Sequence, residues 1–280
     1  MLKKVCLSIV ALALLLPGLY AQTVDEIIAK NIQARGGMDK LKSVKSVKTT
    51  ATMTIGPGME APLTLIQKRP EMARMEFVVQ GLTGIQAYDG SKAWQVMPFM
   101  GKKDPELMSG DETKEIEETA DLDGPLVDYK AKGHKVELMG KEKIEGTDAY
   151  KLKLTLKNGD VQTDYIDADS FLVIKEDTTR TVRGSEQDVE SSIGDYKEVD
   201  GIVFPFAIES GMKGTDQKQK ITISKIELNV PADDSQFKMP PPAPATPAAP
   251  AAAPGAPEPP KTDKPEAPKT PPPAANPPNN

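Results

Sequence analysis

The feature of this sequence that most restricts its possible folds is an apolar or small residue at every second position. From Val47 to Ile55, such residues alternate with lysine and threonine. A period of two places successive side chains on opposite faces of a strand, so one face can be buried while the other meets solvent. Similar segments continue as far as Leu228, with hairpin signals such as Asp89-Gly90 and Asn158-Gly159 between them. The pattern predicts an antiparallel meander.

An amphipathic helix is predicted in front of these strands. Thr23 and Glu26 have the spacing of a capping box, in which each side chain bonds the other residue's backbone N–H. Isoleucines then recur at helical spacing through 27–32, and Gly36-Gly37 is a typical helix end. This helix needs a surface to cover, and the apolar face of the sheet provides one.

Two further segments, Thr113–Thr119 and Asp121–Tyr129, interrupt the strands and are compatible with short helices. The order along the chain is therefore helix, strands, helical insert, strands, with about eleven strands in all. This order predicts a mainly β fold with some α-helix, built on one large curved antiparallel sheet with helices on one face. There is no internal repeat of fixed period, so a propeller or solenoid is not expected.

The two ends of the chain differ in composition from the part between them. Lys3 and Lys4 precede the apolar run Val5–Leu16, and Ala21 follows as a small residue, which is the pattern of a secretory signal peptide. That run has about 12 residues, fewer than the roughly 20 of a membrane-spanning helix. The last 41 residues hold 17 of the 26 prolines and eleven alanines, a composition that cannot form a core. The predicted organisation is a signal peptide at 1–21, one domain at 22–239 and a disordered tail at 240–280.

Composition excludes several classes of site. Removing Lys3 and Lys4 with the signal peptide moves the formal net charge from −6 to −8, and an acidic domain is a poor partner for nucleic acid. The only cysteine, Cys6, lies at the front of the apolar run, whereas a lipid-modified cysteine would follow that run. We therefore expect a secreted chain without lipid anchor, disulfide or thiolate nucleophile. His134 is the only histidine, which excludes a histidine-rich metal centre. We expect no catalytic residue, metal or cofactor.

Short motifs follow one another along the domain in a recognisable order. They are Lys68-Arg69-Pro70 at a strand end, Tyr88–Trp94 followed by Pro98-Phe99, Gly124–Val127, Asp195-Tyr196, Val199–Pro205, and the Phe-x-x-Pro-Pro ending of Phe237–Pro241. Together they resemble the periplasmic outer-membrane lipoprotein carriers, the lipoprotein-sorting family, over most of 22–242. The resemblance implies an incomplete β-barrel, covered by an N-terminal helix and a short helical lid, around an apolar cavity for lipoprotein acyl chains.

The resemblance also implies roles for individual residues. In the family, the arginine of the Lys-Arg-Pro motif holds the lid closed through hydrogen bonds, and here that residue is Arg69. The implied lid residues are Leu122, Leu126 and Val127. The candidate cavity residues, which are the apolar side chains expected on the inner face of the sheet, are Met53, Leu63, Leu65, Met75, Phe77, Trp94 and Val96.

The leading functional hypothesis is a non-enzymatic, monomeric periplasmic carrier. It would bind lipoprotein acyl chains, whose exposure to water costs about 0.8 kcal/mol per CH₂ group, and deliver them toward the outer membrane. By resemblance, an inner-membrane transporter would release the lipoprotein and an outer-membrane acceptor would receive it. The Pro/Ala tail fits either a partner-binding arm or a plain spacer.

The residues alone leave an ordinary alternative open for each assignment. The apolar face fits a closed core as well as a cavity, and Arg69 fits a surface position before a proline turn. Trp94 fits a core anchor, and the lid residues fit a helix packed on a sheet. For function, the alternatives are a protein-interaction or stress-sensing module on the same fold, and a hydrolase that uses His134 or a carboxylate.

Overall fold

The computed structural model describes residues 22–56, 58–182 and 184–241. The predicted signal peptide at 1–21 and the tail from 242 onward lie outside the described residues, so both stay predictions. The helices of the described part are α1 (Val24–Ala34), α2 (Met38–Ser43) and α3 (Gly110–Ala120).

Fifteen strands are found in the described part of the chain. They are β1 (Ser46–Gly56), β2 (Met59–Lys68), β3 (Met72–Val79), β4 (Leu82–Tyr88), β5 (Ala93–Met97), β6 (Lys102–Leu107), β7 (Lys135–Ile144), β8 (Thr147–Thr155), β9 (Val161–Asp167), β10 (Val173–Val182), β11 (Ser185–Gly194), β12 (Lys197–Val199), β13 (Ile202–Phe204), β14 (Ala207–Met212) and β15 (Lys218–Leu228). Thirteen form one antiparallel sheet in the order β6-β5-β4-β3-β2-β1-β15-β14-β11-β10-β9-β8-β7, and β12 pairs with β13.

The predicted fold class is confirmed, with more strands than the eleven expected. The charged edge strand β6 has no apolar alternation and was therefore missed. The chain also breaks between β11 and β12 at Asp195, and between β12 and β13 at Asp200, both of which have a positive φ. A further interruption at 205–206 separates β13 from β14, so the stretch from β11 to β14 holds four strands.

The sheet is strongly curved around α3. This helix has 11 residues, so it is about 16 Å long, yet it contacts both β3 and β10. In a flat sheet those two strands, six steps apart, would be separated by about 29 Å. The edge strands β6 and β7 do not pair with each other in the described part, so the sheet is an unclosed barrel with α3 inside its curve. We call the face that carries the helices the inner face.

The N-terminal helix forms as the sequence predicts. Thr23 caps α1, and both hydrogen bonds of the capping box with Glu26 are present. Ile27, Ile28 and Ile32 are buried in the main core cluster, which includes inner-face residues of β8 such as Leu152. The helical spacing of these isoleucines is therefore the reason that α1 covers the β7–β9 end of the sheet.

The segment Asp121–Tyr129, predicted to be a short helix, is not helical. It belongs to a run of turns at 121–134 that follows α3. Gly124 and Asp128 have φ values of 79° and 53°, which an α-helix cannot contain, and Pro125 lacks the N–H of a helical hydrogen bond. The helical part of this insert is α3, which contains the charged segment Thr113–Thr119.

The outer face of the sheet at β3–β5 is covered by the C-terminal segment at 229–241. Trp94 on β5 is 1% exposed, and its Nε1 donates a 2.7 Å hydrogen bond to the carbonyl oxygen of Phe237. Phe237 is itself fully buried, and Arg74 Nη1 donates to the carbonyl oxygen of Gln236. The family-like Phe-x-x-Pro-Pro ending thus seals the outer side of β3–β5.

Replacement of Phe237 by alanine tests this seal. We expect Phe237→Ala to lower the free energy of unfolding by about 3–5 kcal/mol, the usual cost of emptying a buried phenylalanine site. Urea titration followed by the fluorescence of Trp94 measures the change. The half-exposed neighbour Met239, replaced by alanine, is the control with little effect. A Phe237→Ala protein as stable as the wild type would contradict the assignment.

Candidate functional site

Arg69 lies at the end of β2 and is the centre of a dense set of hydrogen bonds. Its Nη1 and Nη2 donate to the two carboxylate oxygens of Asp123, at 2.9 and 2.5 Å. Its Nε donates to the carbonyl oxygen of Val44 at 2.7 Å, and Nη2 also donates to that of Leu41 at 3.0 Å. A planar guanidinium suits this fork-like arrangement, which a lysine could not reproduce.

Asp123 is a buried carboxylate with more than one cationic partner. It is 3% exposed, and Lys42 Nζ donates to its Oδ2 at 2.7 Å while Arg35 Nη1 donates to its backbone oxygen at 2.9 Å. Burial alone would raise the pKa of Asp123, but the hydrogen bonds from Arg69 and Lys42 outweigh it and lower the pKa to about 2. The carboxylate therefore stays ionised at neutral pH.

These contacts join four parts of the chain at one point. Asp123 belongs to the 121–134 turns, Arg69 to the end of β2, Lys42 to α2 and Arg35 to the end of α1. The sequence-predicted residue Arg69 therefore does contact the segment predicted as the lid. Its partner Asp123 was not among the predicted site residues, and the signal available from the sequence was its position directly before the Gly124–Val127 motif.

A second set of polar contacts holds α3 across the curve of the sheet. Glu118 of α3 accepts from Arg180 Nη2 of β10 at 3.3 Å and from Asn158 Nδ2 at 3.0 Å. Lys114 Nζ lies 3.6 Å from Asp160 in the β8–β9 turn. Arg180 was missed by sequence reasoning, and the available signal was a single arginine within the threonine-rich stretch of β10. We call α3 with the following turns, residues 110–134, the cover segment.

Five of the predicted cavity residues share the inner face. Strand register pairs Leu63 with Phe77 and Leu65 with Met75, and places Met53 on the same side of β1. Leu63 is buried and the other four are half-buried. They extend from the part of the sheet under α3 toward the hairpin tips.

This apolar surface is continuous across neighbouring strands. One row of register partners crosses β2, β1, β15, β14 and β11, and a second row crosses β3, β2, β1 and β15. The first row is Ala61, Met53, Ile221, Ile208 and Ile193, and the second is Phe77, Leu63, Ala51 and Ile223. Phe99 extends the second row, since its ring centroid lies 5.8 Å from that of Phe77. The sheet thus presents a wide apolar area on its helix side.

Trp94 and Val96 do not belong to this surface, which corrects the prediction for them. Register pairs Trp94 with Ala87 and Val96 with Ile85, while Met75 pairs with Gln86. Trp94 and Val96 therefore point to the outer face. Strand β5 carries Ala93 and Gln95 on the inner face, so its alternation marks Trp94 and Val96 as one apolar set without showing which face of the sheet that set covers.

The predicted lid residues are packed rather than free. Leu126 and Val127 are buried in the main core cluster, and Leu122 packs partly buried against it. Their neighbours include isoleucines of α1 and leucines of β8, so the turns at 121–134 cover the β8–β9 part of the inner face. Lys132 cross-links these turns by hydrogen bonds, since its Nζ donates to the carbonyl oxygen of Gly124 and to the carboxylate of Asp121.

His134, a possible metal site and a possible membrane-spanning helix are the other candidate features. His134 accepts a 3.1 Å hydrogen bond at Nδ1 from the backbone N–H of Lys157, and burial lowers its pKa, so it is a neutral turn residue. No group of three or more histidine, cysteine or acidic side chains suited to a metal ion is found within the described residues. In that same part of the chain, none of the helices is both long and apolar enough to cross a membrane.

A double-mutant cycle tests the link between Arg69 and Asp123. We expect Arg69→Gln and Asp123→Asn to show a coupling energy of about 1–3 kcal/mol at pH 6, measured by urea unfolding. Because the pKa of Asp123 is lowered when folded, its contribution is present above its unfolded pKa of about 3.9 and fades as the pH falls toward 2. The coupling should shrink over that range.

The exposed pair Lys143 and Asp148 provides the matched control for this cycle. Its side chains are largely in solvent, so a much smaller coupling is expected. Equal coupling in the two pairs, or a coupling for Arg69 and Asp123 that is the same at pH 6 and pH 2.5, would contradict the assignment of a buried ion pair.

Comparison with solved structures identifies the fold. A DUF1329 family protein from Desulfovibrio piger matches with a TM-score of 0.55 and 16% identity, over 77% of this chain and 97% of that one. A LolA superfamily protein from Nitrosomonas europaea matches with a TM-score of 0.54 and 16% identity, over 78% and 98%. A domain from Vibrio parahaemolyticus, provisionally described as an outer membrane lipoprotein-sorting protein domain, gives 0.50 and 13%, over 75% and 94%.

No protein-family profile and no curated protein sequence matches the chain. At identities of 13–16%, the structural likeness speaks for the fold alone. The resemblance read from the sequence motifs is confirmed at that level: the protein shares its fold with these solved structures, one of which is a LolA superfamily protein.

Proposed function

We propose that this protein is a non-enzymatic lipid-binding carrier that takes up acyl chains on the inner face of its open barrel. The observation that carries the proposal is the continuous apolar surface around Met53, Leu63 and Phe77, most of whose side chains remain half-buried. A closed core would bury such residues completely, since their burial stabilises a fold by about 25 cal/mol per Å². An acyl chain would complete that burial.

The cover segment lies over part of this apolar surface. It therefore has to move if an acyl chain is to reach the part beneath it. It is held to the sheet by polar contacts, chiefly Arg69 with Asp123 and Arg180 with Glu118. The same segment is also held by buried apolar side chains, Ile116 and Ala120 of α3 and Leu126 and Val127 of the turns. Opening would exchange the polar contacts for contacts with water and the apolar contacts for contacts with the bound chain. Opening then becomes a population shift that the bound acyl chain favours. In this proposal Arg69 is the latch that the family resemblance implies.

The fold supports this role. The solved structures that the protein resembles include a LolA superfamily protein and a domain provisionally described as lipoprotein-sorting. We extend the proposal to a periplasmic protein organised as a signal peptide at 1–21, a carrier domain at 22–239 and a tail at 240–280. Its cargo would be the acyl chains of a lipoprotein, received from an inner-membrane transporter and delivered to an outer-membrane acceptor.

Titration of the chain from Gln22 onward with a fluorescent fatty-acyl probe tests acyl binding. We expect saturable binding by the wild type, and at least about tenfold weaker binding by Met53→Asp, because a charge on the apolar surface must lose its hydration when the chain covers it. Thr52→Asp is the matched control. It places the same charge on the same strand but on the outer face, and should leave the affinity unchanged.

Two results would contradict the proposal. One is the absence of saturable binding by the wild type while a known lipoprotein carrier binds the same probe. The other is an equal loss of affinity in Met53→Asp and Thr52→Asp, which would mean that the probe does not distinguish the two faces of the sheet.

A further inference from the structure

A small cavity of about 200 Å³ lies beside α1, between that helix, the 121–134 turns and strands β9 and β10. Its apolar wall residues include Leu126, Leu172 and Phe204. Its polar wall residues are Asn31, Arg35, Gln162, Asp164, Glu176 and Tyr196. None of the five inner-face residues around Met53 belongs to its wall, and Ile193, at the end of the first row, is the one residue that it shares with the apolar surface.

Two carboxylates face each other in this wall. Asp164 on β9 and Glu176 on β10 are direct register partners, and Asp164 is 2% exposed. The side-chain amide of Gln162 donates to Asp164 Oδ1 at 2.7 Å and to Glu176 Oε2 at 3.0 Å. Within the described residues, neither carboxylate forms an ion pair. A buried carboxylate beside a half-buried one, with no ion pair to either, is costly unless they are protonated or a ligand supplies a cation.

Asn31 of α1 adds a buried acceptor without a partner. The residue is 1% exposed and lines the cavity. Its Nδ2 donates to the carbonyl oxygen of Phe171 at 2.7 Å, but its Oδ1 accepts no hydrogen bond. An unpaired buried amide oxygen is uncommon in native proteins and indicates a missing donor. Asn31, Asp164 and Glu176 thus surround one space with acceptors.

The charge of the wall defines the kind of ligand. With Asp164 and Glu176 ionised, Arg35 leaves the cavity one positive charge short of neutrality. The described residues hold no group of three metal-binding side chains, so an organic cation fits better than a metal ion. A primary ammonium has three N–H donors, one for each of the acceptor side chains. The cavity volume equals roughly six or seven water-sized groups, which suits an ammonium with a short attached chain.

The approach to the cavity is acidic as well. A groove of about 780 Å³ shares Pro125 and Gln162 with the small cavity, so the two are adjacent. Two lysines, Lys132 and Lys157, lie in its wall. The acidic residues of the same wall outnumber them and are Glu71, Glu117, Glu118, Asp121 and Asp128. An excess of carboxylates in a groove raises the local concentration of cations.

We propose that this cavity binds a primary ammonium group, presented either by a free small amine or by the end of a lipid headgroup. The site does not depend on the proposed acyl-binding function, because Asn31, Asp164 and Glu176, which would hold the ammonium, are not part of the acyl surface. Either can fail in experiment without the other.

Ionisation of the carboxylates couples binding to pH. Burial, together with the charge of Glu176, raises the pKa of Asp164 to about 8, and burial also raises that of Glu176. A bound cation favours the ionised pair, so the affinity should increase as the pH rises from 6 to 8. The other charged or titratable groups that act on this pair or face it across the cavity are Arg35, Glu118, Asp177, Arg180 and Tyr196.

Isothermal titration of the chain from Gln22 onward with ethanolamine and n-propylamine tests the site. We expect saturable binding at millimolar concentration, strengthening from pH 6 to 8, and at least about tenfold weaker binding of choline, which has no N–H donor. Asp164→Asn should reduce the affinity for ethanolamine at least tenfold without lowering Tm, since it removes a buried charge. Replacing the exposed Asp104 by asparagine is the matched control and should change neither.

Vesicles separate the two sources of the ammonium group. Stronger capture by phosphatidylethanolamine than by phosphatidylcholine vesicles, with competition by free ethanolamine, would assign the site to a headgroup. Binding of free ethanolamine without that preference would assign it to a small amine. The proposal is overturned if neither amine binds saturably, if choline binds equally well, or if Asp164→Asn binds like the wild type.

Discussion

The carboxylate of Asp123 is the charge on which the arrangement of the inner face depends. It is buried, and a buried carboxylate is stable only with cationic or hydrogen-bonding partners around it. Those partners come from β2, α2 and, through the backbone oxygen, the end of α1. One residue in a run of turns thereby fixes two helices and a strand end, and keeps the turns at 121–134 against the sheet.

Around this point the inner face divides into two chemically different parts. The strands from β3 through β1 to β14 carry apolar, half-buried side chains, whereas β9 and β10 carry Gln162, Asp164, Glu176 and Thr178 inward. The helix α3 crosses between them, with Ile116 and Ala120 buried toward the first part and Glu118 paired with Arg180 on the second. A charged helix inside a barrel is therefore consistent with its surroundings, because each side of it meets the matching side of the sheet.

Local sequence patterns predict the secondary structure well. They predict poorly which side chains meet across the fold. The capping box of Thr23, the hairpin at Asp89-Gly90 and the alternation of β1–β3 all lead directly to the observed elements. The face of Trp94 could not be predicted, because β5 is covered on both sides, by α3 on the inner face and by Phe237 on the outer face. Glu176 was hidden by the irregularity between Val173 and Lys175, which shifts the alternation by one residue and turns Glu176 inward. The carboxylate partners of Arg69 and Arg180, which are Asp123 and Glu118, lie more than fifty residues away from them along the chain, so no local pattern connects them.

In the proposed mechanism, an acyl chain reaches the part of the inner face under α3 only when the cover segment moves. A covalent link between α3 and the β8–β9 turn tests it most directly. Lys114→Cys and Asp160→Cys, whose native side chains lie 3.6 Å apart, can be joined by a short bis-maleimide in a domain that has no other cysteine. The control is the same double variant treated with a mono-functional maleimide. We predict that the linked protein exchanges a bound acyl probe at least about tenfold more slowly than this control, as expected for a blocked opening step. Equal exchange rates in the linked and unlinked proteins would contradict the account.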